Sequence, residues 1–185
     1  MGRRSTIDEA RVFAVVGHGL ARRGTLILQD VVGEAGVSIG SLYHRYESRE
    51  GLLARAFIDA VRAFQTQVMP ELEGEGVEAV MAAACAVPAF CRAEPDRAVI
   101  LSCCRQSEFL TEATPEPLRS EIETVNAGAA QAIAEFAARN GFGMEALRLA
   151  LVGLPLGAVR LYLPGRPVPE EVDARIAAAV RAILA

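Results

Sequence analysis

Ser38, Ser41, Tyr43 and His44 stand within one short stretch of this chain. Hydroxyls and an imidazole donate and accept hydrogen bonds without a fixed charge, which suits them to reading the polar edges of a partner. The residues before them say how they are held. Gly36 after Ala35 supplies a sharp reversal, because glycine alone enters positive φ without a Cβ penalty. Ser38 is then placed to cap the next helix through its hydroxyl. That helix has about five or six residues, too few to be stable alone. Ile39, Leu42 and Tyr43 must pin it to neighbours, which leaves Ser41, His44 and one face of Tyr43 free. A short, rigidly held helix with small polar side chains suits insertion into the major groove of double-stranded DNA. For His44, an ordinary surface histidine is the competing reading.

Other reactive residues form no comparable group. Cys85, Cys91, Cys103 and Cys104 show no CxxC spacing and have no histidine nearby in sequence, so reduced core cysteines are the reading favoured over a thiol sensor or a metal site. Gly17-His18-Gly19 resembles half a dinucleotide fingerprint but follows no strand and lacks the third glycine. There is no nucleophile elbow, phosphate loop or metal-spaced His/Cys/carboxylate set. The sequence therefore predicts no enzyme, no metal and no cofactor.

The elements that position these residues all read as helices, and the fold class is all-α with about nine of them. The first opens at a Thr6–Glu9 capping box, lines one face with Ile7, Ala10, Ala14, Gly17 and Ala21 beside Phe13, Val16 and Leu20, and ends at Gly24. Thr25 is the expected cap of the second, which runs to about Ala35. The fourth starts at Ser48 and carries an apolar stripe through Leu52, Leu53, Ala56, Phe57, Ala60, Val61, Phe64 and Val68. Pro70 and Gly74–Gly76 end it. Further helices are expected over Val77–Arg92, Pro95–Cys104, from about Pro117 to Arg139, over Met144–Leu163 with a kink at Pro155, and over Pro169–Leu184.

Composition bounds the partners. The chain has 185 residues, a net charge of −4 and 52% hydrophobic residues, with a mean hydropathy of +0.27. All of its basic residues are arginine. Residues 1–50 hold seven arginines against six carboxylates, so the net of +1 there leaves −5 for the rest. Phosphate contacts must be few and well placed, and binding to DNA should weaken only modestly with salt. No run of about 18 uninterrupted apolar residues occurs and acidic Asp8 and Glu9 interrupt the start, which predicts no membrane partner and a cytoplasmic location.

Val31-Val32, Ala35-Gly36-Val37-Ser38, Gly40-Ser41-Leu42-Tyr43, Tyr46, Ser48-Arg49-Glu50 and Leu52-Leu53 together resemble the DNA-binding signature of the TetR family of bacterial transcriptional regulators. Val32 stands where a small alanine is usual, Tyr46 where phenylalanine is, and Arg49 where lysine is. The likeness covers roughly residues 5 to 60. It implies a helix-turn-helix DNA-binding domain over residues 1–47 and an effector-binding and dimerisation domain over 48–185. Ser38, Ser41, Tyr43 and His44 would then face the groove and its flanking phosphates, and Ile39 a thymine methyl. Thr25 and Arg49 lie near helix amino termini, which attract phosphate. Arg3 and Arg4 form either a minor-groove arm or a solvated tail.

The resemblance also implies a small-molecule pocket among the later helices. Candidate lining residues are Phe64, Met81, Cys85, Phe90, Cys103, Phe109, Asn126 and Tyr162, with Arg105 and Arg160 as anchors for an anion; ordinary core packing is the alternative for each apolar one. The last two helices, with small Gly153, Gly157 and Ala158, read as a homodimer interface, which a short recognition helix needs in order to read a palindromic operator. The expected function is a repressor released from its operator by an unidentified effector. A dimeric adaptor without DNA binding, or an effector-independent regulator, is the alternative.

Overall fold

The computed structural model describes residues 7–185. Arg3, Arg4 and Thr6 lie outside the described residues. Helix α1 (Glu9–Arg23) is capped by Asp8, whose carboxylate accepts from the Arg11 amide at 3.2 Å. This corrects the Thr6–Glu9 capping box: the helix starts later, and Glu9 turns instead to the third helix. The face of α1 that is buried is Val12, Phe13, Val16, Gly17, Gly19 and Leu20, while Ala10 is exposed. Large side chains take the core because the gain scales with the apolar area removed from water. Gly24, at φ 68°, ends α1 and donates its amide to the Leu20 carbonyl at 2.7 Å.

Helix α2 (Leu28–Ala35) has Ile27, not Thr25, at its cap position, with no side-chain cap. Buried Leu26 explains the shift, since anchoring it in the core carries the chain past Thr25 before the helix begins. Gly36, at φ 68°, makes the reversal into α3 (Ile39–Tyr46). The next helix, α4 (Arg49–Val68), is capped by Ser48, whose hydroxyl accepts from the Gly51 amide at 2.9 Å. A 3₁₀ turn at Met69–Glu73 follows, then α5 (Gly76–Ala93), α6 (Pro95–Cys103), a 3₁₀ turn at Gln106–Glu108, and α7 (Glu116–Asn140). Asn140 does more than stop α7: its Oδ1 accepts from the Gly76 amide at 2.7 Å and so caps α5.

The expected kinked helix over Met144–Leu163 is α8 (Met144–Arg148), a π turn at Leu149–Gly153 and α9 (Leu154–Arg160). Pro155 sits in the first turn of α9, and the break falls just before it, where the Leu154 amide reaches back five residues to the Leu149 carbonyl. A wider turn accommodates the ring and its missing N–H. The chain closes with α10 (Glu171–Ile183), and no strand occurs among the described residues.

Two apolar clusters hold these elements. One joins Val12, Phe13, Val16 and Leu20 of α1 to Val31, Leu42, Tyr46 and the first half of α4, and continues into Ile100, Cys104, Phe109, Leu118 and Ile122. The second gathers α5 with the end of α4, Phe136, Leu147, Val159 and the buried face of α10. The chain turns at residues 47 and 48, but the first cluster runs across that point. Helix α5 is long and apolar enough to cross a membrane by length and composition, with mean hydropathy 1.4 over Gly76–Ala93. Glu78 and Arg92 interrupt its apolar run, and Val80, Ala83, Ala84, Val87, Phe90 and Cys91 are buried in the second cluster.

Candidate nucleic-acid interface and internal cavity

Leu42 and Tyr46, four residues apart on α3, hold it against α1, α2 and α4, and are 3% and 5% exposed. Ile39 and Tyr43 do not share this task. They are 43% and 49% exposed, so their expected role as pins is corrected: on so short a helix the pair Leu42 and Tyr46, four residues apart, supplies the contact with the core. Exposed with them are Ser38, Gly40 and His44. The first turn is already organised, because the Ser38 hydroxyl accepts from the Ser41 amide at 3.1 Å and lies 2.8 Å from the Ser41 hydroxyl. Ser38 is thus spent on capping, while Tyr43 and His44 carry no side-chain hydrogen bond to the described residues.

Tyr46 gains what a phenylalanine there would lack. Its ring packs 6.0 Å from that of Phe13, and its hydroxyl donates to Glu9 Oε1 at 3.2 Å. Arg45 meets the same carboxylate at 3.2 Å, so α3 is tied to α1 at both ring and charge. Burial, and then Glu9, push the Tyr46 hydroxyl well above the usual tyrosine range.

The flanks of α3 offer fewer free cations than the sequence suggests. Arg23 pairs with Asp30, Arg49 with Glu50 at 3.2 Å, and Arg11 donates to the Glu34 carbonyl at 2.8 Å. Thr25 is exposed three residues before α2, and Gln29, in the first turn of α2, is exposed as well. Gln29 escaped the sequence reading because a lone glutamine has no periodicity to mark it. Arg49, the first residue of α4, is half-buried.

The second site is a cavity of about 310 Å³. Val61, Phe64, Gln65 and Val68 of α4 form one wall, with Met69 and Leu72 beyond them. Val87, Phe90 and Cys91 of α5 face Leu101 and Ser102 of α6. Asn126, Ala129 and Ile133 of α7 close a third side, and Leu151, Val152 and Leu156 a fourth. Phe64 and Phe90 meet edge to face, their ring centres 5.4 Å apart at 88°.

Three of the ten expected lining residues, Phe64, Phe90 and Asn126, are on this wall. The other seven lie elsewhere. Met81 and Cys85 face α10, where Met81 Sδ accepts from Arg181 and the Cys85 thiol donates to the Asp173 carbonyl at 3.4 Å. Phe109 is buried in the first cluster, 5.4 Å from the ring of Phe57. Arg105 is exposed at the cap of the short 3₁₀ turn. Arg160 donates to the Ser102 carbonyl at 2.6 Å behind the wall, with Cys103 half-buried next in sequence. Tyr162 stacks under Arg166 at 4.6 Å. Gln65 and Ser102 were missed, although Gln65 is visible in the sequence as a polar break in the α4 stripe.

All four cysteines are free, and burial raises each thiol above its ordinary value, Cys91 to about 11 and Cys104 to about 12. Among the described residues no group of three metal-binding side chains comes together.

No protein-family model matches the chain, and no curated protein does. Among solved structures it is similar to one from Shewanella sp. PV-4, described as a "putative tetR family transcription regulator". The two share 18% identity over 95% of this chain and 94% of the other, with a TM-score of 0.65. A likeness over 95% of one chain and 94% of the other gives this protein the TetR-like fold.

Proposed function

We propose that this chain is a DNA-binding transcriptional regulator that works as a homodimer, represses from a palindromic operator and responds to a small-molecule effector. The observation that carries the reading is α3: two buried side chains fix it while Ile39, Tyr43 and His44 are left exposed on it. Rigid presentation of one hydrogen-bonding face is what groove insertion requires. Thr25, Gln29, Arg49 and the helix amino termini beside them supply phosphate contacts, which position the helix rather than specify sequence. Arg3 and Arg4 are proposed as a minor-groove arm.

The dimer face follows from what is left uncovered. The apolar face of α10 is spent on α5, with Val172, Ile176 and Val180 buried and Asp173 held by Arg92 at 2.7 Å. Exposed instead are Leu149, Val152 and Leu161, beside small Gly153 and Gly157, and the Ala127–Ala130 stretch of α7 apart from half-buried Ala129. The proposed interface is therefore α7 with the π turn and α9.

Selection of bound sequences from random duplex DNA, repeated at two salt concentrations, tests the regulator. A palindromic consensus is expected, with Tyr43→Ala and His44→Ala each weakening binding about fivefold or more, the loss of roughly one hydrogen bond. Unchanged affinity in both variants refutes the assignment of this face.

A further inference from the structure

We infer that the cavity beneath α4 takes an uncharged, ring-containing molecule of two or three rings with one or two hydrogen-bonding groups. The inference rests on the reading of this cavity as the effector site and adds the chemistry of what fills it. No Asp, Glu, Arg or His lines the cavity. Its polar side chains are Gln65, Ser102 and Asn126, with the weakly polar Cys91 thiol. Gln65 Nε2 donates to the Val125 carbonyl at 3.2 Å, which leaves Oε1 as its acceptor. The Asn126 amide makes no hydrogen bond to the described residues and is half-buried, so both its donor and its acceptor are available to an occupant.

The arginines bonded next to the wall are not themselves lining residues. Arg160 is held on the Ser102 carbonyl at 2.6 Å, Arg139 on the Leu72 carbonyl at 2.9 Å, and Arg92 on Asp173. A carboxylate or sulfonate entering here would lose its hydration and meet no cation among the lining residues, and an ammonium no anion, which is a costly way to bury a group. Size and shape are equally restrictive. Filled to ordinary interior density, about 0.74, a 310 Å³ cavity holds roughly 230 Å³ of van der Waals volume, the bulk of a molecule of two or three rings. Phe64 and Phe90, already edge to face, offer ring faces and edges on which an aromatic occupant packs in the geometry aromatics prefer.

A matched pair of fluorescent probes tests this on the full chain. N-phenyl-1-naphthylamine and 8-anilino-1-naphthalenesulfonate share a skeleton and differ by one sulfonate. Titration should give saturable binding of the neutral amine at least a hundredfold tighter than that of the sulfonate. Ala129→Phe fills the cavity from α7 and should abolish amine binding; Ile133→Trp does the same from a neighbouring turn should the first variant fail to fold, as checked by thermal unfolding. Equal affinity for the two probes overturns the inference, as does amine binding that survives in a folded cavity-filling variant. Operator binding is measured separately without probe, so its absence would remove the regulator while leaving the probe result standing.

Discussion

Replacing Gly51 by alanine tests whether the joint between α3 and α4 is as tight as it looks. A Cβ at this position would lie 2.1 Å from the Tyr46 carbonyl oxygen and 3.2 Å from Ser48 Oγ. Carbon and carbonyl oxygen approach no closer than about 3.3 Å in ordinary contacts, so the backbone must open by roughly 1 Å. The same carbonyl accepts from the Ser48 amide at 2.7 Å, and Gly51 itself donates to the Ser48 hydroxyl. Overpacking costs about 1–3 kcal/mol where side chains can yield; here a backbone group must move and a turn hydrogen bond worth about 1 kcal/mol is strained with it. After the gain of up to about 1 kcal/mol that alanine brings over glycine in a helix, smaller here in the first turn of α4, the net loss is about 3 kcal/mol. Gly33→Ala is the control, since nothing lies within 4 Å of the Cβ site at this exposed position of α2, and it should stabilise by about 0.5–1 kcal/mol. Urea denaturation at one protein concentration measures both, through the midpoint at unchanged slope. In thermal unfolding, Gly51→Ala should melt roughly 6–12 °C lower for a chain of this size. If the two variants fall within 0.5 kcal/mol of each other, the argument for a fixed α3–α4 angle fails.

Tyr46→Phe keeps the ring against Phe13 and removes the bond to Glu9, a loss of about 1 kcal/mol at neutral pH by urea denaturation. The raised Tyr46 hydroxyl adds a pH signature. In the unfolded chain the phenol ionises near 10 while in the fold it keeps its proton, so stability falls as pH rises beyond about 10; the phenylalanine variant should show a shallower fall, and identical pH slopes would refute the buried hydroxyl. Burial of Cys91, with its thiol near 11, predicts modification by a thiol reagent at pH 8 about a hundredfold slower than for a free thiol; a peptide-like rate in the native chain would count against it. Ser38→Ala should cost about 1 kcal/mol through the lost cap of α3, and thermal unfolding of an otherwise unaltered chain checks this.

The helix-turn-helix was legible because its determinants are local. Gly36, Ser38 and Ser48 act within three residues of themselves, and each sits where the sequence put it. Thr6 and Thr25 were misjudged because a cap depends on where buried neighbours anchor the chain: Asp8 was the better-placed cap for α1, and Leu26 drew the start of α2 past Thr25. The cavity was half legible for a different reason. Helix α5 is apolar on every side, so its sequence does not say which face meets the cavity and which meets α10. Phe90 fell on one side; Met81 and Cys85 fell on the other. The stripe Val172, Ile176 and Val180 likewise marks α10 as amphipathic without naming its partner, which is α5.

What the fold adds to the motif is a mechanical connection. Helix α6 packs on α1 so closely that a Cβ on Gly17 would meet Ile100 Cγ1 at 2.6 Å. Around that contact His18 Nε2 lies 2.9 Å from Asp96 Oδ1, and the Cys104 thiol lies 3.7 Å from the Gly17 carbonyl. The next residues along α6, Leu101 and Ser102, are cavity wall. Helix α4 makes the second connection, from the Gly51 joint at one end to Val61, Phe64, Gln65 and Val68 at the other. Close-packed contacts of this kind transmit displacement rather than absorb it. An occupant that pushed α4 and α6 apart would therefore re-aim α1 and α3 together, but only to the extent that it binds that spread geometry better than the resting one. Since the first apolar cluster runs unbroken from α1 into α6 and α7, the helix-turn-helix has no independent hinge. In the homodimer proposed above, its spacing would follow the helices that enclose the cavity.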